Sequence, residues 1–479
     1  MKTIITKPEE EVLALPELTA PMRWALAGLS LSMLLSSLGT SIANVGLPTL
    51  AQAFNASFQQ VQWVVLAYLL AITTLIVSVG RLGDLSGRRR LLLAGIALFT
   101  LASVLCGLAP TLALLIAARA AQGLGAAIML ALTMAFVAAT VPKARTGSAM
   151  GLLGTMSAIG TALGPSLGGV LIAGFGWRSI FFITLPLGLL AFLLAYRYLP
   201  LDRRAQPAEK GSGGFDHLGT LLLGLTLAAY ALAMTLGRGS FGPLNLALLC
   251  AAACGAALFV RVEAKAASPL IRLALFRNPV LSAGCATSAL VTTVVMATLV
   301  VGPFYLSGAL GLDAGRVGLV MSSGPIVAAL AGMPAGRVVD RFGAQRMGIA
   351  GLVAMVAGCV ALVLATGLGV PGYVVPLAVV TAGYALFQAA NNTAVMADIR
   401  ADQRGVISGL LNLARNLGLV SGASLMGTVF ALGAAGGDMT AAGPGAVAAG
   451  MQITFGVATL FILAALGIAF AGVRAGLRG

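Results

Sequence analysis

The sequence is poor in charged residues, which make up only 9% of the 479-residue chain. Soluble globular proteins carry roughly 25% charged residues, so this chain cannot cover a water-facing surface of the usual kind. Hydrophobic residues make up 59% of it, about the share that fourteen helices of ~20 residues each would use. The composition therefore predicts an all-α integral membrane protein with fourteen transmembrane helices.

The sequence also lacks the residue clusters of metal sites and catalytic centres. Its five cysteines lie in apolar stretches without metal-ligand or disulfide spacing, and His217 is its one histidine. It contains no embedded aspartate pair and no phosphate-binding loop. We expect a protein that is not an enzyme and needs no cofactor, with a proton gradient as the candidate energy source.

Long apolar runs, separated by glycine, proline or charge, predict the transmembrane spans. These are residues 22–48, 59–80, 91–109, 112–140, 147–173, 179–199, 217–236, 244–262, 280–306, 315–336, 346–367, 373–396, 404–432 and 448–472. The most polar connectors divide the spans into blocks of six, two and six. The predicted segments are a cytosolic tail (1–21), a six-helix bundle (22–200), a linker (201–216), an inserted helix pair (217–262), a second linker (263–279) and a second six-helix bundle (280–473).

The positions of the basic residues predict the orientation in the membrane. Of the 29 lysines and arginines, Arg178, Arg238 and Arg316 fall on loops of one side, and Arg119 and Arg415 fall within spans. All the others lie on the tails, loops and span ends of the opposite side, which the positive-inside rule assigns to the cytosol. Both termini are therefore expected in the cytosol. Basic loops of this kind face anionic lipid headgroups. The net charge of +15 therefore indicates a lipid partner and not nucleic acid.

A short motif occurs twice, each time after the second span of a six-span block. The first copy runs from Gly80 through Asp84 to Gly87, and the second from Gly336 through Asp340 to Gly343. An internal repeat with parallel halves is typical of membrane transporters with a substrate site between the halves.

The repeated motif resembles the loop signature of the major facilitator superfamily, and the resemblance extends over essentially the whole chain. Arg119-Ala-Ala-Gln122-Gly is similar to the helix-four motif of this superfamily, and residues 160–169 are similar to the helix-five signature of its antiporters. The resemblance implies two six-helix bundles and a gating role for the motif residues. These are Gly80, Asp84, Gly87, Arg88, Arg89, Asp340, Arg341, Gly160, Gly164, Pro165, Gly168 and Gly169.

The inserted helix pair, and the string from Ser41 to Pro48, resemble the fourteen-span drug:proton antiporter branch of the superfamily. In that branch an aspartate commonly precedes this string in the first helix, but Gly39 occupies the matching position here. None of the fourteen acidic residues lies deep in a predicted span, so a proton-coupling carboxylate would have to be at a helix end, such as Asp84 or Asp398.

Polar residues within the spans are the candidates for substrate or coupling contacts. They are Asn44, Tyr68, Arg119, Gln122, Gln388, Asn391, Asn392, Asn412, Arg415 and Asn416. Two embedded arginines without an embedded carboxylate favour anionic or neutral amphipathic substrates. Alternatively, the amides join helices, Arg119 reaches the membrane interface, or both arginines are neutralised by backbone carbonyls.

These features predict a monomeric secondary active transporter in the cytoplasmic membrane. Efflux of small amphipathic molecules by alternating access, with proton antiport, is the leading function. The alternative is a passive facilitator or channel for a small anionic or neutral solute.

Overall fold

The computed structural model describes residues 19–140, 146–201, 216–236, 242–266, 269, 271, 273–396, 404–434 and 443–476. Within these residues, fourteen helical segments are long and apolar enough to cross a membrane, so the predicted fold class and number of spans are confirmed. The helices are α1 (Ala20–Val45), α2 (Phe58–Ser86), α3 (Arg88–Leu108), α4 (Leu112–Thr140), α5 (Thr146–Phe175), α6 (Thr184–Tyr198), α7 (His217–Thr235), α8 (Pro243–Glu263), α9 (Pro279–Gly308), α10 (Ser323–Phe342), α11 (Ala344–Leu364), α12 (Gly369–Met396), α13 (Arg404–Ser421) and α14 (Pro444–Gly476).

Six of these helices have an additional helical segment, which is a 3-10 turn in two of them: Leu273–Arg277 before α9 and Thr366–Leu368 before α12. A short helix, Leu47–Ala53, follows α1 after Gly46, where Pro48 stands in the first turn, so the predicted first span is in fact two helices. Ser179–Phe182 precedes α6, and Ala314–Met321 precedes α10. A π-helical turn at Gly422–Met426 joins α13 to its continuation, Gly427–Gly433.

The two six-helix bundles have the same internal packing. Helix α1 packs against α5 and α6 in the first bundle, as α9 packs against α13 and α14 in the second. The pairs α2–α4 and α3–α4 correspond in the same way to α10–α12 and α11–α12. Between the bundles, α5 contacts α10 and α2 contacts α13, which are again equivalent pairs. The fold therefore has the twofold repeat that the doubled motif predicts.

The inserted pair, α7 and α8, packs along one of the two lines of contact between the bundles. Helix α7 lies against α2, with Trp63 Nε1 donating to Thr235 Oγ1 at 3.0 Å and the hydroxyls of Ser78 and Thr220 2.8 Å apart. Leu223 and Leu227 of α7 share an apolar cluster with the buried side of α13. The α2–α13 contact is therefore covered from outside by α7.

Candidate functional site

The two bundles are in close contact at the end of the molecule that holds the α1–α2 connection. We call this the outer end, following the orientation that the charges predict, and the opposite one the inner end. A β-carbon on Gly169 of α5 would lie 2.7 Å from the Cα of Gly318, in the segment that precedes α10. A β-carbon on Gly318 would lie 2.6 Å from the carbonyl oxygen of Pro165. Only glycine allows such an approach of two helix backbones.

Aromatic and amide side chains extend the contact across the outer end. The ring of Phe58 on α2 lies 4.6 Å from that of Phe304 on α9 and 5.5 Å from that of Phe430, beyond α13. Gln62 of α2 donates to the carbonyl of Ala423, in the π-helical turn, at 2.9 Å. We call these contacts, together with Gly169 and Gly318, the outer seal.

The same helix faces are open toward the inner end. Gly154 lies about three turns before Pro165 on the same face of α5, and Gly336 lies in the last two turns of α10, toward the inner end. A β-carbon on Gly154, Gly332 or Gly336 would have no heavy atom within 4 Å. The α5–α10 crevice therefore narrows from the inner end to the Gly169–Gly318 contact.

The glycines of the helix-five signature have two different partners. A β-carbon on Gly160 would lie 2.4 Å from the Leu34 carbonyl oxygen, and one on Gly164 would lie 2.0 Å from Ser41 Oγ. Gly168 faces Val45 and Ile42 in the same way. These three glycines therefore pack α5 against α1 within the first bundle, and only Gly169 belongs to the contact between bundles. The helix continues through Pro165.

The doubled loop motif has the same backbone conformation in both copies. Gly87 has φ 94° and ψ 122°, and Gly343 has φ 89° and ψ 141°, a left-handed region that favours glycine. Each glycine ends the second helix of its bundle and begins the third. The side chain of Asp84, and Gly80, lie outside the described side chains.

The motif arginines take part in local contacts. Arg89 Nη2 donates to the Tyr196 carbonyl, and its guanidinium lies 5.3 Å from the Tyr196 ring centroid, which attaches the start of α3 to α6. Arg88 begins α3. Asp340 and Arg341 are exposed, as expected where the bundles are apart.

Arg119 is enclosed in the first bundle and has 0% exposure. Its Nε donates to the Val64 carbonyl at 2.8 Å, Nη1 to Gln122 Oε1 at 2.5 Å and Nη2 to the Gly39 carbonyl at 3.0 Å. The guanidinium also lies 4.2 Å from the Tyr68 ring centroid, a cation–π distance. In this conformation each nitrogen has a partner and the side chain does not reach the membrane interface.

The neighbours of Arg119 are equally enclosed. Tyr68 donates to the Ser36 carbonyl at 2.7 Å, and Gln122 Nε2 donates to Ser103 Oγ at 2.7 Å. Asn44 is also buried, and its Nδ2 donates to the Thr40 carbonyl at 3.0 Å. In this conformation Tyr68, Arg119 and Gln122 therefore join helices, whereas Asn44 bonds within α1. All four are buried and are not exposed to a substrate.

The candidate residues of the second bundle lie on partly exposed helix faces. Asn412, Arg415 and Asn416 share one face of α13, while the opposite side of that helix is buried. Gln388 is partly exposed on α12 and Asn392 is exposed. Asn391 instead donates to Ser288 Oγ at 3.0 Å and to the Gly284 carbonyl at 3.2 Å, so it joins α12 to α9.

Arg415 differs from Arg119 in its contacts. Its Nη2 lies 3.4 Å from the Tyr384 hydroxyl of α12, at the long limit for a hydrogen bond. Its Nε is buried and has no hydrogen-bond partner in the described part of the chain. Charged side chains within membrane proteins face cavities or partners, so we expect the polar face of α13 to lie toward the space between the bundles.

The contacts of three residues could not be predicted from the sequence. Tyr384 was not a candidate, although it stands one turn before Gln388. Gly427 had no motif, yet a β-carbon there would lie 1.6 Å from Gln62 Nε2. Glu263 is the first residue of the predicted second linker, but it is 3% exposed and accepts from the Ile271 N–H at 3.1 Å. The contacts and burial of these residues depend on segments that are far apart in the chain.

Comparisons with known proteins agree with the geometry. The family model described as Major Facilitator Superfamily matches residues 29–423. The chain is 34% identical over 407 residues to the multidrug resistance protein Stp of Mycobacterium tuberculosis, covering 84% of this chain and 74% of Stp. It is 31% identical over 404 residues to the riboflavin transporter RibZ of Clostridioides difficile, covering 84% of this chain and 86% of RibZ.

A solved structure has the same fold. It is an inward-facing, unoccupied bacterial homologue of the human lysosomal transporter Spinster, with a TM-score of 0.69 at 15% identity. The match covers 96% of this chain and 99% of that one.

Proposed function

The chain belongs to the Major Facilitator Superfamily of membrane transporters, and we propose that it is a secondary active exporter of small amphipathic molecules working by alternating access. It is a multi-pass membrane transporter and not an enzyme. The observation that carries the proposal is the packing of α5 against α10 and the segment that precedes it. A β-carbon on Gly169 or Gly318 would clash with the other bundle, whereas one on Gly154 or Gly336 would have no heavy atom within 4 Å.

This geometry supports alternating access because the backbones of the two bundles approach closely at Gly169 and Gly318, while Gly154 and Gly336, nearer the inner end, have open space around them. The outer seal is formed by backbone approach, aromatic rings and one hydrogen bond, all of which a small rotation of one bundle would break. The glycine faces near the inner end are free to meet when the outer seal opens. Interfaces of this kind are bistable.

Export is supported by the name of a relative, the multidrug resistance protein Stp. For the driving force we propose proton antiport without a cofactor, with carboxylates at inner helix ends such as Asp84 and Asp398 as coupling groups. Asp398 lies outside the described residues. We further propose that the transporter works as a monomer in the cytoplasmic membrane, without nucleic acid, and with both termini in the cytosol.

Everted membrane vesicles test export directly. Vesicles that contain the protein should accumulate a fluorescent amphipathic dye above its equilibrium level, and a protonophore should abolish the accumulation. The alternative is a passive facilitator. It is favoured because no acidic residue lies deep in a predicted span. It would only equalise the dye concentrations, and the protonophore would have no effect.

Cysteine labelling tests the orientation. In a cysteine-free background, Gly242→Cys at the start of α8 should react with an impermeant maleimide added to intact cells, and Ala344→Cys at the start of α11 should not. The reverse pattern would contradict the proposed orientation.

A further inference from the structure

Two arginines lie within the spans, and the structure separates their roles. Arg119 donates through all three of its nitrogens to groups of its own bundle. Arg415 makes one long contact with Tyr384, and its Nε has no partner among the described residues. From this difference we infer that Arg415 is the anion-binding residue of the transport path, and that the preferred substrate is an anionic amphiphile. The inference rests on the proposed transport function.

The surroundings of Arg415 supply hydrogen-bond donors but no negative charge. Asn412 and Asn416 share its face of α13, and Tyr384 and Gln388 stand one turn apart on α12. No carboxylate in the described part of the chain forms an ion pair with Arg415. Amide N–H and phenol O–H groups beside a guanidinium form the donor set that suits a carboxylate or sulfonate. The same set contains no negatively charged group that could pair with a cation.

The opposite wall of the crevice has a different character. Helix α5 has no charged residue along its length. The face that carries Gly154 and Pro165 also carries Thr161, whose hydroxyl donates to the Ser157 carbonyl of the same helix at 3.0 Å. A substrate between the bundles therefore meets donors on α12 and α13, and an uncharged surface on α5. This arrangement fits a molecule with an anionic head and an apolar body, with the head held by the second bundle.

The structure also explains why Arg119 does not share this role. An anion that approached Arg119 would have to displace backbone carbonyls that already bind its guanidinium within a fully buried cluster. At Arg415 an anion displaces only the long Tyr384 contact. Substitution of Arg415 is therefore expected to weaken binding of an anion much more than substitution of Arg119.

The test compares binding of two probes to the purified full-length protein in detergent. The probes are dansyl-labelled octanoic acid and its methyl ester, which differ in charge and share the apolar body. We expect the wild type to bind the acid at least tenfold more tightly than the ester, with a preference that falls as salt is added. Arg415→Gln should weaken acid binding at least tenfold and ester binding less than twofold, and Arg415→Lys should restore part of the acid binding.

Control variants keep the test specific. Arg316→Gln removes an exposed arginine paired with Asp313, and it should change neither affinity. Tyr384→Phe removes one donor of the proposed set and keeps the guanidinium, so it should weaken acid binding, but less than Arg415→Gln does. If Arg415→Gln did not fold, two results would still test the inference: the wild type should bind the acid more tightly than the ester, and Arg415→Lys should keep part of the acid binding.

Several outcomes would overturn the inference. Equal losses for acid and ester in Arg415→Gln would show that Arg415 supports the fold and does not bind the anion. Tighter binding of the matched quaternary ammonium compound than of the acid would exclude an anion site. Failure of the proposed function is distinguishable, because Arg415-dependent binding of the acid without uphill transport in vesicles would contradict active export and leave the anion site standing.

Discussion

Gly169 of α5 and Gly318 of the α10 region approach so closely that a β-carbon on the first would lie 2.7 Å from the Cα of the second. Real side-chain atoms do not occupy such positions, so any larger residue must separate the two bundles here. Substitutions at this pair therefore test directly whether the outer end is closed.

Gly318→Val should hold the outer end open, and Gly336→Val should prevent the inner end from closing. Both should reduce transport at least tenfold, because each blocks one half of the cycle. A reporter cysteine at Asn412, on the polar face of α13, distinguishes the two variants. In Gly318→Val it should react faster with an impermeant maleimide added from outside, and in Gly336→Val faster from inside.

The matched control for this pair is Gly456→Val on α14, where a β-carbon has no heavy atom within 4 Å. It should leave transport and both labelling rates within twofold of the wild type. Identical labelling patterns in Gly318→Val and Gly336→Val would rule out opposed gates.

Gly427→Ala should break the hydrogen bond between Gln62 and the Ala423 carbonyl, because the new β-carbon would lie 1.6 Å from Gln62 Nε2. Loss of one partner of a buried hydrogen bond costs ~1–3 kcal/mol, which weakens the outer seal by about that amount. Outside labelling of the Asn412 cysteine should rise accordingly.

Gln62→Ala removes the side chain that would clash with an alanine at position 427. The double variant should therefore show a smaller effect than the sum of the two single variants in a double-mutant cycle. Strictly additive effects would mean that Gln62 and Gly427 do not interact in the working protein.

Arg119→Ala should reduce the stability of the protein more than its affinity for substrate. The substitution removes the donor to two buried carbonyls and to Gln122 Oε1, and a buried acceptor left without its partner costs ~1–3 kcal/mol. Thermal unfolding in detergent should show a clear loss for Arg119→Ala and little change for Arg415→Ala. Equal stability of the two variants would contradict the structural role of Arg119.

Gly87→Ala and Gly343→Ala should destabilise the protein by similar amounts, about 1–3 kcal/mol each, because both glycines have φ near 90°. Gly348→Ala is the control, since it is helical and its nearest neighbour would lie 3.6 Å from the new β-carbon. A neutral Gly343→Ala beside a damaging Gly87→Ala would show that the two copies of the loop are no longer equivalent.

The sequence by itself determined the class of the protein and its repeat. Apolar runs long enough to cross a bilayer leave few alternatives to membrane helices, so the fourteen spans could be predicted within a few residues. Gly87 and Gly343 could be matched because their positive φ values require glycine in both copies. The embedded arginines could be found because charge is rare in such segments.

Only the tertiary structure decided what these residues contact. Arg119 and Arg415 look alike in sequence, yet one is enclosed by carbonyls from α1 and α2 and the other has unused donors on the face of α13. Gly164 and Gly169 belong to one glycine-rich motif, but one packs within a bundle and the other between bundles. Burial, hydrogen-bond partners and close backbone approach depend on segments that are far apart in the chain. A local pattern determines which face of a helix is bare or polar, and the packing of the other helices determines what that face meets.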